Sequence, residues 1–320
     1  MSDQARSLGL FLATLVCVYF TYGYLWHGGD PLGDPETMIA SATFAGALMA
    51  ILGAHEMGHY VVARRHGFEL SLPYFIPVPF FFGTFGAVIR LKSLPRDRSA
   101  LLEMGAAGPI AGAVLAFAAI AIGLPDTGPP PEILPPEAAE PLPAWIAGAL
   151  TRLDELLAPL AALLSEPVPE GHVPVLIFNN PPVMDLLGLA ILGEPPGRYD
   201  SLSPLALAGW VGCFLTALNL VPIGQLDGGH VLGALAPDRA KLLSRIFLGL
   251  AVAAGVLGWS GWLVWAVLLW ATRAYVNVAV PTKPPLSPRA RWIAMIALLL
   301  FALTFMAVPV EPDTLPYAQP

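Results

Sequence analysis

Long apolar segments separated by short polar stretches dominate the pattern of this chain. A helix needs about 20 mainly apolar residues to cross a bilayer core, and seven segments are close to that length. They are Leu8–Trp26, Met38–Ala63, Leu101–Leu124, Pro204–Val221, Leu242–Gly258, Gly261–Val278 and Trp292–Val308. The pattern therefore predicts an all-α polytopic membrane protein with about seven transmembrane helices.

Basic residues decide how the last long apolar run is divided. Lys and Arg accumulate in cytoplasmic loops, and in this chain they cluster within residues 64–98, 239–245 and 273–291. All three clusters reach the cytoplasm only if the run 242–278 crosses the membrane twice, which predicts a turn at Gly258–Gly261. The N-terminus is then inside and the acidic C-terminal tail is outside.

The longest connection, residues 125–203, is rich in proline, and its acidic residues far outnumber its two arginines, Arg152 and Arg198. This charge balance predicts a non-cytoplasmic position. Two apolar stretches within it, Trp145–Leu164 and Val173–Leu192, are predicted to form interfacial or re-entrant helices against the membrane. The alternative is a partly ordered Pro-rich connector.

Composition agrees with an integral membrane protein. The mean hydropathy of +0.67, with 56% hydrophobic and 12% charged residues, departs far from a soluble domain. Few and scattered basic residues and a net charge of −7 argue against a nucleic-acid partner. High Ala, Leu, Gly and Pro usage and the lack of a transit-like leader favour a prokaryotic plasma membrane. Cys17 and Cys213 lie in apolar segments and are predicted to be buried free thiols.

The segment Met38–Ala63 carries the sequence His55-Glu56-Met57-Gly58-His59. Residues four apart on a helix lie one above the other, so both imidazoles face one point. Neutral imidazole is a good Zn²⁺ ligand, and Glu56 beside it can take a proton from a metal-bound water. Ionisable groups are costly at membrane depth, so this cluster predicts a functional site.

A third metal ligand is needed, and Asp227 is the best candidate. It follows Pro222 and Gly224 in a broken apolar segment, where a carboxylate needs a compensating cation. The alternative is a helix-start cap followed by two glycines. His230 is a less favoured fourth ligand, because four protein ligands would leave no position for water.

Four sequence elements together resemble the site-2 protease family of intramembrane zinc metalloproteases, in its PDZ-less branch with chloroplast-type members. They are HEMGH, the run Pro73–Leu91, GAAGPIAG at 105–112 and NLVPIGQLDGGH at 219–230. The resemblance implies a three-helix catalytic core and one Zn²⁺ per chain held by His55, His59 and Asp227. It also implies that Glu56 is the catalytic base. Gly112 stands where many members have Asn, which suggests that a polar contact is missing.

The same resemblance implies membrane-embedded protein substrates, cleaved during regulated intramembrane proteolysis or membrane quality control. Asn219 is a candidate for binding the oxyanion or the substrate backbone, or alternatively for a helix–helix hydrogen bond. Residues Gly83, Thr84, Phe85 and Gly86 belong to a predicted strand or re-entrant hairpin that an extended substrate joins by β-addition. The sequence does not indicate an oligomeric state.

These features divide the chain into five regions. Residues 1–37 hold the first helix and an outside loop, 38–124 and 204–238 form the two parts of the catalytic core, 125–203 form the acidic loop, and 239–320 form the C-terminal helices and tail. The active site is expected toward the cytoplasmic side. Two rival functions remain: a catalytically silent homologue that serves as a membrane scaffold, and a metal transporter.

Overall fold

The computed structural model describes residues 2–89, 97–129, 171–276 and 284–316, together with positions 148, 151, 152 and 169. The described helices are α1 (Asp3–Thr21), α2 (Pro35–Arg65), α3 (Arg98–Gly123), α4 (Pro182–Ile191), α5 (Pro204–Leu220), α6 (Asp227–Leu235), α7 (Ala240–Leu257), α8 (Gly261–Ala271) and α9 (Pro288–Thr304). The strands are β1 (Tyr74–Pro77), β2 (Thr84–Val88), β3 (His172–Phe178) and β4 (Val310–Pro316). The basic stretch 90–96 and almost all of the predicted stretch Trp145–Leu164 lie outside the described residues.

Four helical segments within these ranges are long and apolar enough to cross a membrane. They are Asp3–His27, in which the π-helix Tyr22–His27 continues α1, Pro35–Arg65, Arg98–Asp126, in which the 3₁₀ turn Leu124–Asp126 continues α3, and Ala240–Leu257. The predicted number of seven spans is not confirmed, because α5 has only 17 residues and α8 only 11. Pro222 follows the end of α5, and Arg273 after α8 has a φ of 57°, which a continuing helix cannot adopt.

The break in the last apolar run lies where the sequence predicts it. α7 ends at Leu257 and α8 begins at Gly261, so residues 258–260 separate two helices. The backbone N–H of Trp262 donates to the carbonyl of Trp259 at 3.1 Å and closes the turn. The two helices contact each other.

Local signals explain the limits of α2, the longest helix. Pro35 occupies its first turn, and the Asp34 side chain accepts hydrogen bonds from the N–H groups of Glu36 and Thr37. At the other end Gly67 has a φ of +75°, and the N–H of Phe68 donates to the carbonyl of Ala63. This is a glycine-terminated helix end, so the helix stops at Arg65, the second of its paired arginines.

The helices α2, α3 and α5 pack together as a three-helix core, with α6 against α3. Phe44 and Leu48 of α2, Ile120 of α3 and Trp210 of α5 are fully buried within it. α1 covers one side of this core and contacts β1. The arrangement brings the middle of α2 to the start of α6.

Two small antiparallel sheets complete the described fold. β1 pairs with β2 in the hairpin that the sequence predicts, with Phe75 opposite Ala87. β3 pairs with β4 along its whole length, from His172–Pro316 to Phe178–Val310. The prediction of a helix over Val173–Leu192 is therefore wrong in its first half, because that half finds a strand partner at the far end of the chain.

Candidate metal centre

The two histidines of the HEMGH sequence face one point, as their spacing on α2 predicts. The Nε2 atoms of His55 and His59 lie 3.1 Å apart. His55 and the neighbouring Glu56 are each only 6% exposed. Helix geometry alone therefore supplies two nitrogen donors, one buried and one partly buried, and one carboxylate next to them.

Asp227, the first residue of α6, completes the group. One of its carboxylate oxygens lies 3.2 Å from Nε2 of His55 and the other 3.2 Å from Nε2 of His59. The potential ligand atoms of these three residues all lie within 4.8 Å of one another. The structure thus brings together the three residues that the sequence predicts as ligands.

The loop between α5 and α6 holds Asp227 in place. The hydroxyl of Ser244, on α7, donates to the carbonyl of Pro222 and accepts a hydrogen bond from the N–H of Gly224. The N–H of Gln225 donates to the carbonyl of Ala274, just after α8. The C-terminal helices α7 and α8 therefore support the segment that carries the third candidate ligand.

Two features of α3 orient His59, and sequence reasoning did not find either. Nδ1 of His59 lies 2.8 Å from the carbonyl oxygen of Met104. A carbonyl can only accept, so Nδ1 carries a proton, and His59 would bind a metal through Nε2. Gly108 lies against the same imidazole, and a Cβ there would collide with the ring.

The small-residue spacing along α3 is a signal that could have indicated this packing. Gly105, Gly108 and Gly112 recur at three- and four-residue intervals and face His230, His59 and His55 respectively. At Gly112, where a missing polar contact was expected, a Cβ would lie 3.2 Å from the Cβ of His55. The glycine therefore gives His55 close contact with α3.

Glu56 lines a cavity between α2, β2 and α5. Phe85, Gly86 and Asn219 line the same cavity, so three of the predicted substrate-contacting residues lie beside Glu56. The amide nitrogen of Asn219 is 3.4 Å from Nε2 of His55. This contact joins α5 to the donor group on α2.

Gly83 and Thr84, also predicted to contact substrate, shape the hairpin and do not line this cavity. The Thr84 hydroxyl donates to the carbonyl of Ile76 at 3.1 Å, and its oxygen accepts from the N–H of Gly86 at 3.0 Å. Gly83 has a φ of +84° at the turn and packs against the main chain of Val18. Both residues hold the hairpin rather than offer groups to the cavity.

The remaining histidines near the core take no part in the three-residue group. Nδ1 of His230 is buried and has no hydrogen-bond partner among the described residues. His66 is partly buried, with its Nε2 3.2 Å from a carboxylate oxygen of Glu103. That carboxylate also lies 3.5 Å from Nε of Arg289, so it links the ends of α2, α3 and α9.

Comparison with known proteins agrees with the geometry. Residues 43–257 match peptidase family M50, the site-2 protease family, and the chain belongs to it. This range includes the whole three-residue group.

Plant proteins are among its relatives. The chain is 32% identical over 267 residues to the probable zinc metalloprotease EGY2, chloroplastic, of Oryza sativa subsp. indica, covering 81% of this chain and 41% of that protein. It is 31% identical over 281 residues to the probable zinc metalloprotease EGY1, chloroplastic, of Arabidopsis thaliana, covering 84% and 43%. The chain thus spans less than half the length of these relatives. No solved structure matches it.

The family and the donor set agree on the metal. Family membership and the names of the relatives imply Zn²⁺, and two imidazoles with one carboxylate are a known catalytic zinc ligand set. The apolar helices agree with an integral membrane protein. The expected prokaryotic plasma membrane has no support, because these relatives are chloroplastic plant proteins.

Proposed function

We propose that this chain is an intramembrane zinc metalloprotease that hydrolyses peptide bonds within or near transmembrane segments of membrane proteins. One observation carries the proposal. The donor group of His55, His59 and Asp227 lies close to Glu56, and both histidines and Glu56 belong to a helix that is long and apolar enough to cross a membrane. Ionisable groups are costly at that depth, so this cluster favours a functional site.

His55, His59 and Asp227 would hold the zinc ion, and three protein ligands are the number that a catalytic zinc site usually has. A bound Zn²⁺ supplies a Lewis acid that polarises a peptide carbonyl and acidifies water. Glu56 acts as the general base, taking a proton from the attacking water and returning it to the leaving amine. Its burial beside the donors keeps this proton transfer away from bulk solvent.

Asn219 provides a hydrogen-bond donor for the substrate. Nε2 of His55 has one lone pair, so it cannot bind a metal and accept from the Asn219 amide at the same time. With the metal bound, the amide is available for a carbonyl oxygen of the substrate or for the developing oxyanion. The 3.4 Å contact with His55 supports this role because it places the amide next to the reacting atoms.

The hairpin presents the substrate. A helical substrate hides its peptide bonds, so the scissile segment must be extended before attack. β2 pairs with β1 alone among the described strands, and Phe85 and Gly86 line the cavity of Glu56. A substrate strand added to the second edge of β2 would run past the general base.

The position of the site along α2 supports access from the side of the membrane on which Arg64 and Arg65 lie. Arg64 lies five residues beyond His59, which corresponds to about 8 Å along a helix. Arg64 and Arg65 mark the cytoplasmic end by the positive-inside rule. We therefore propose that the active site lies toward the cytoplasmic side, with lipid around the helices and a membrane-embedded protein as substrate.

The test is zinc content and peptide cleavage by the purified full chain in detergent, with a panel of transmembrane peptides. Wild type is compared with Glu56→Gln and with Glu36→Gln. The second variant is the control, because it makes the same substitution at the exposed start of α2. We expect one zinc per chain in all three proteins. Cleavage should fall about 10²- to 10⁴-fold in Glu56→Gln alone.

Other outcomes separate the rival functions. Zinc without cleavage of any peptide by the wild type would favour a silent homologue that serves as a membrane scaffold. Zinc uptake into vesicles that contain the protein, without peptide hydrolysis, would favour a metal transporter. Absence of zinc from the wild type would contradict the site itself.

A further inference from the structure

The cavity beside Glu56 extends away from the donor group along α2. It has a volume of about 70 Å³. Its polar lining includes His55, Glu56 and Asn219, with Thr216 farther along α5, whereas Ile51 and Leu52 form an apolar wall one helical turn earlier on α2. The cavity therefore joins the reacting groups to a small apolar recess.

α5 and the hairpin close the recess. Leu215 and Thr216 of α5 lie one turn before Asn219 and line the wall opposite α2. Phe85, Gly86 and Ala87 of β2 line the third side. In a substrate that lies extended along β2, every second side chain points to the same face. When a carbonyl of this substrate lies near Glu56, a neighbouring side chain of the substrate would therefore enter the recess.

The size of the recess is fixed by close helix packing. A Cβ added to Gly212 would lie 2.9 Å from Cγ2 of Ile51 and 2.9 Å from the Cβ of Ala116, so α2, α3 and α5 are in contact there. Ile51 is 3% exposed and Thr216 is 2% exposed. Interiors packed this tightly have little room to expand. The whole cavity, including its polar end, has about half the volume of the ~150 Å³ apolar cavity that holds a benzene ring, and the recess is only a part of it.

We propose that this recess is a side-chain subsite that accepts a small residue next to the scissile bond and excludes aromatic and long aliphatic residues. This inference rests on the proposed protease function and specifies its substrates. Alanine, serine, cysteine and valine fit the available volume, whereas phenylalanine does not. Leu215 limits the size of the accepted residue, because its side chain is half-buried and forms the wall opposite Ile51 and Leu52.

The test uses the purified full chain with zinc, and a transmembrane peptide whose cleavage site is known from mass spectrometry. Ala, Val, Leu and Phe are placed in turn on each side of the scissile bond, and kcat/KM is measured for each peptide. At one of the two positions we expect the wild type to prefer Ala over Phe by about 10- to 200-fold.

Leu215→Ala should reverse part of this preference, because it enlarges the recess. We expect the ratio of Leu to Ala peptides at that position to rise at least tenfold relative to wild type. Wild type and Leu215→Ala are measured on the same peptides. The effect of each substituted peptide residue on the helicity of the peptide therefore cancels from the comparison. The control is Leu218→Ala, also half-buried on α5 but outside the cavity lining, which should leave the ratio unchanged.

Each result decides between the two proposals. Cleavage by the wild type with equal rates for Ala and Phe at both positions would overturn the subsite and leave the protease function standing. An unchanged ratio in Leu215→Ala would also overturn it. If the zinc-loaded wild type cleaves no peptide in the panel, the protease function fails and the subsite fails with it.

Discussion

Nδ1 of His59 donates a hydrogen bond to the main-chain carbonyl of Met104, 2.8 Å away on the neighbouring helix. This bond determines which nitrogen of His59 faces Asp227 and His55. Backbone atoms of α3 thus orient a candidate ligand on α2, although no side chain of α3 belongs to the donor group. The packing of α2 on α3 is therefore as important to the metal centre as the HEMGH sequence.

Gly108→Ala should damage the metal centre without removing a ligand. The added methyl group would collide with the His59 imidazole and push it from its position beside Asp227. We expect zinc affinity to fall about 10- to 100-fold, the range typical of lost support around a metal ligand. Competition with a chelator of known zinc affinity measures the change.

Gly46→Ala is the control for this experiment. Gly46 lies on α2, and a Cβ there would meet open space. Its zinc affinity should equal that of the wild type. Equal affinities in Gly108→Ala and wild type would contradict the close contact between α3 and His59.

Asp227→Asn should release the metal while preserving the shape of the site. An amide has nearly the same size as a carboxylate but lacks the negative charge that stabilises a bound cation. We expect the zinc content of the purified protein to fall well below one per chain, measured by atomic emission. Asp185→Asn, in the first turn of α4, makes the same change outside the donor group and should keep its zinc.

Glu103→Gln tests the link between three helices. The Glu103 carboxylate, 7% exposed, lies within 3.5 Å of a nitrogen of both His66 and Arg289. Water can solvate Arg289, which is 71% exposed, so the loss is modest. We expect destabilisation of about 1 kcal/mol, seen as a lower thermal unfolding midpoint in detergent, with no loss of zinc. A midpoint equal to that of the wild type would show that these ion pairs do not hold α9.

Acid should weaken the sheet formed by β3 and β4. The N–H of Thr314, the hydroxyl of Tyr199 and the guanidinium of Arg198 lower the pKa of Asp313 below its ordinary value. A carboxyl group with a lowered pKa in the folded state stabilises that state above its ordinary pKa of 3.8, and this contribution is lost as the pH falls through the folded value.

Hydrogen exchange measures this effect. The protection factors of the amides of residues 172, 173 and 175–178, corrected for intrinsic exchange rates, should fall as the pH drops from 6 to 3. Asp313→Asn removes the titrating group, so its protection should depend less on pH over the same range. A pH profile identical to that of the wild type would exclude Asp313 as the cause.

Local sequence was sufficient to predict the main elements of the site. The i, i+4 spacing of His55 and His59 determines that their imidazoles share a face on any α-helix. Pro222 and Gly224 predicted a broken segment before Asp227, and the turn at 258–260 followed from the charge distribution. The first two features depend on residues close together in the chain, and the third depends on the distribution of basic residues, so all three can be inferred without knowing how the helices pack.

The tertiary structure decided what depends on residues far apart. β3 and β4 pair across more than 130 residues, so the local apolar pattern of Val173–Leu192 indicated a helix where a strand forms. The Met104 carbonyl, the contact of Gly108 with His59 and the pairing of Glu103 with His66 and Arg289 arise from the way the helices pack. Periodicity determines which face a side chain occupies, but only packing determines which groups of another helix meet that face.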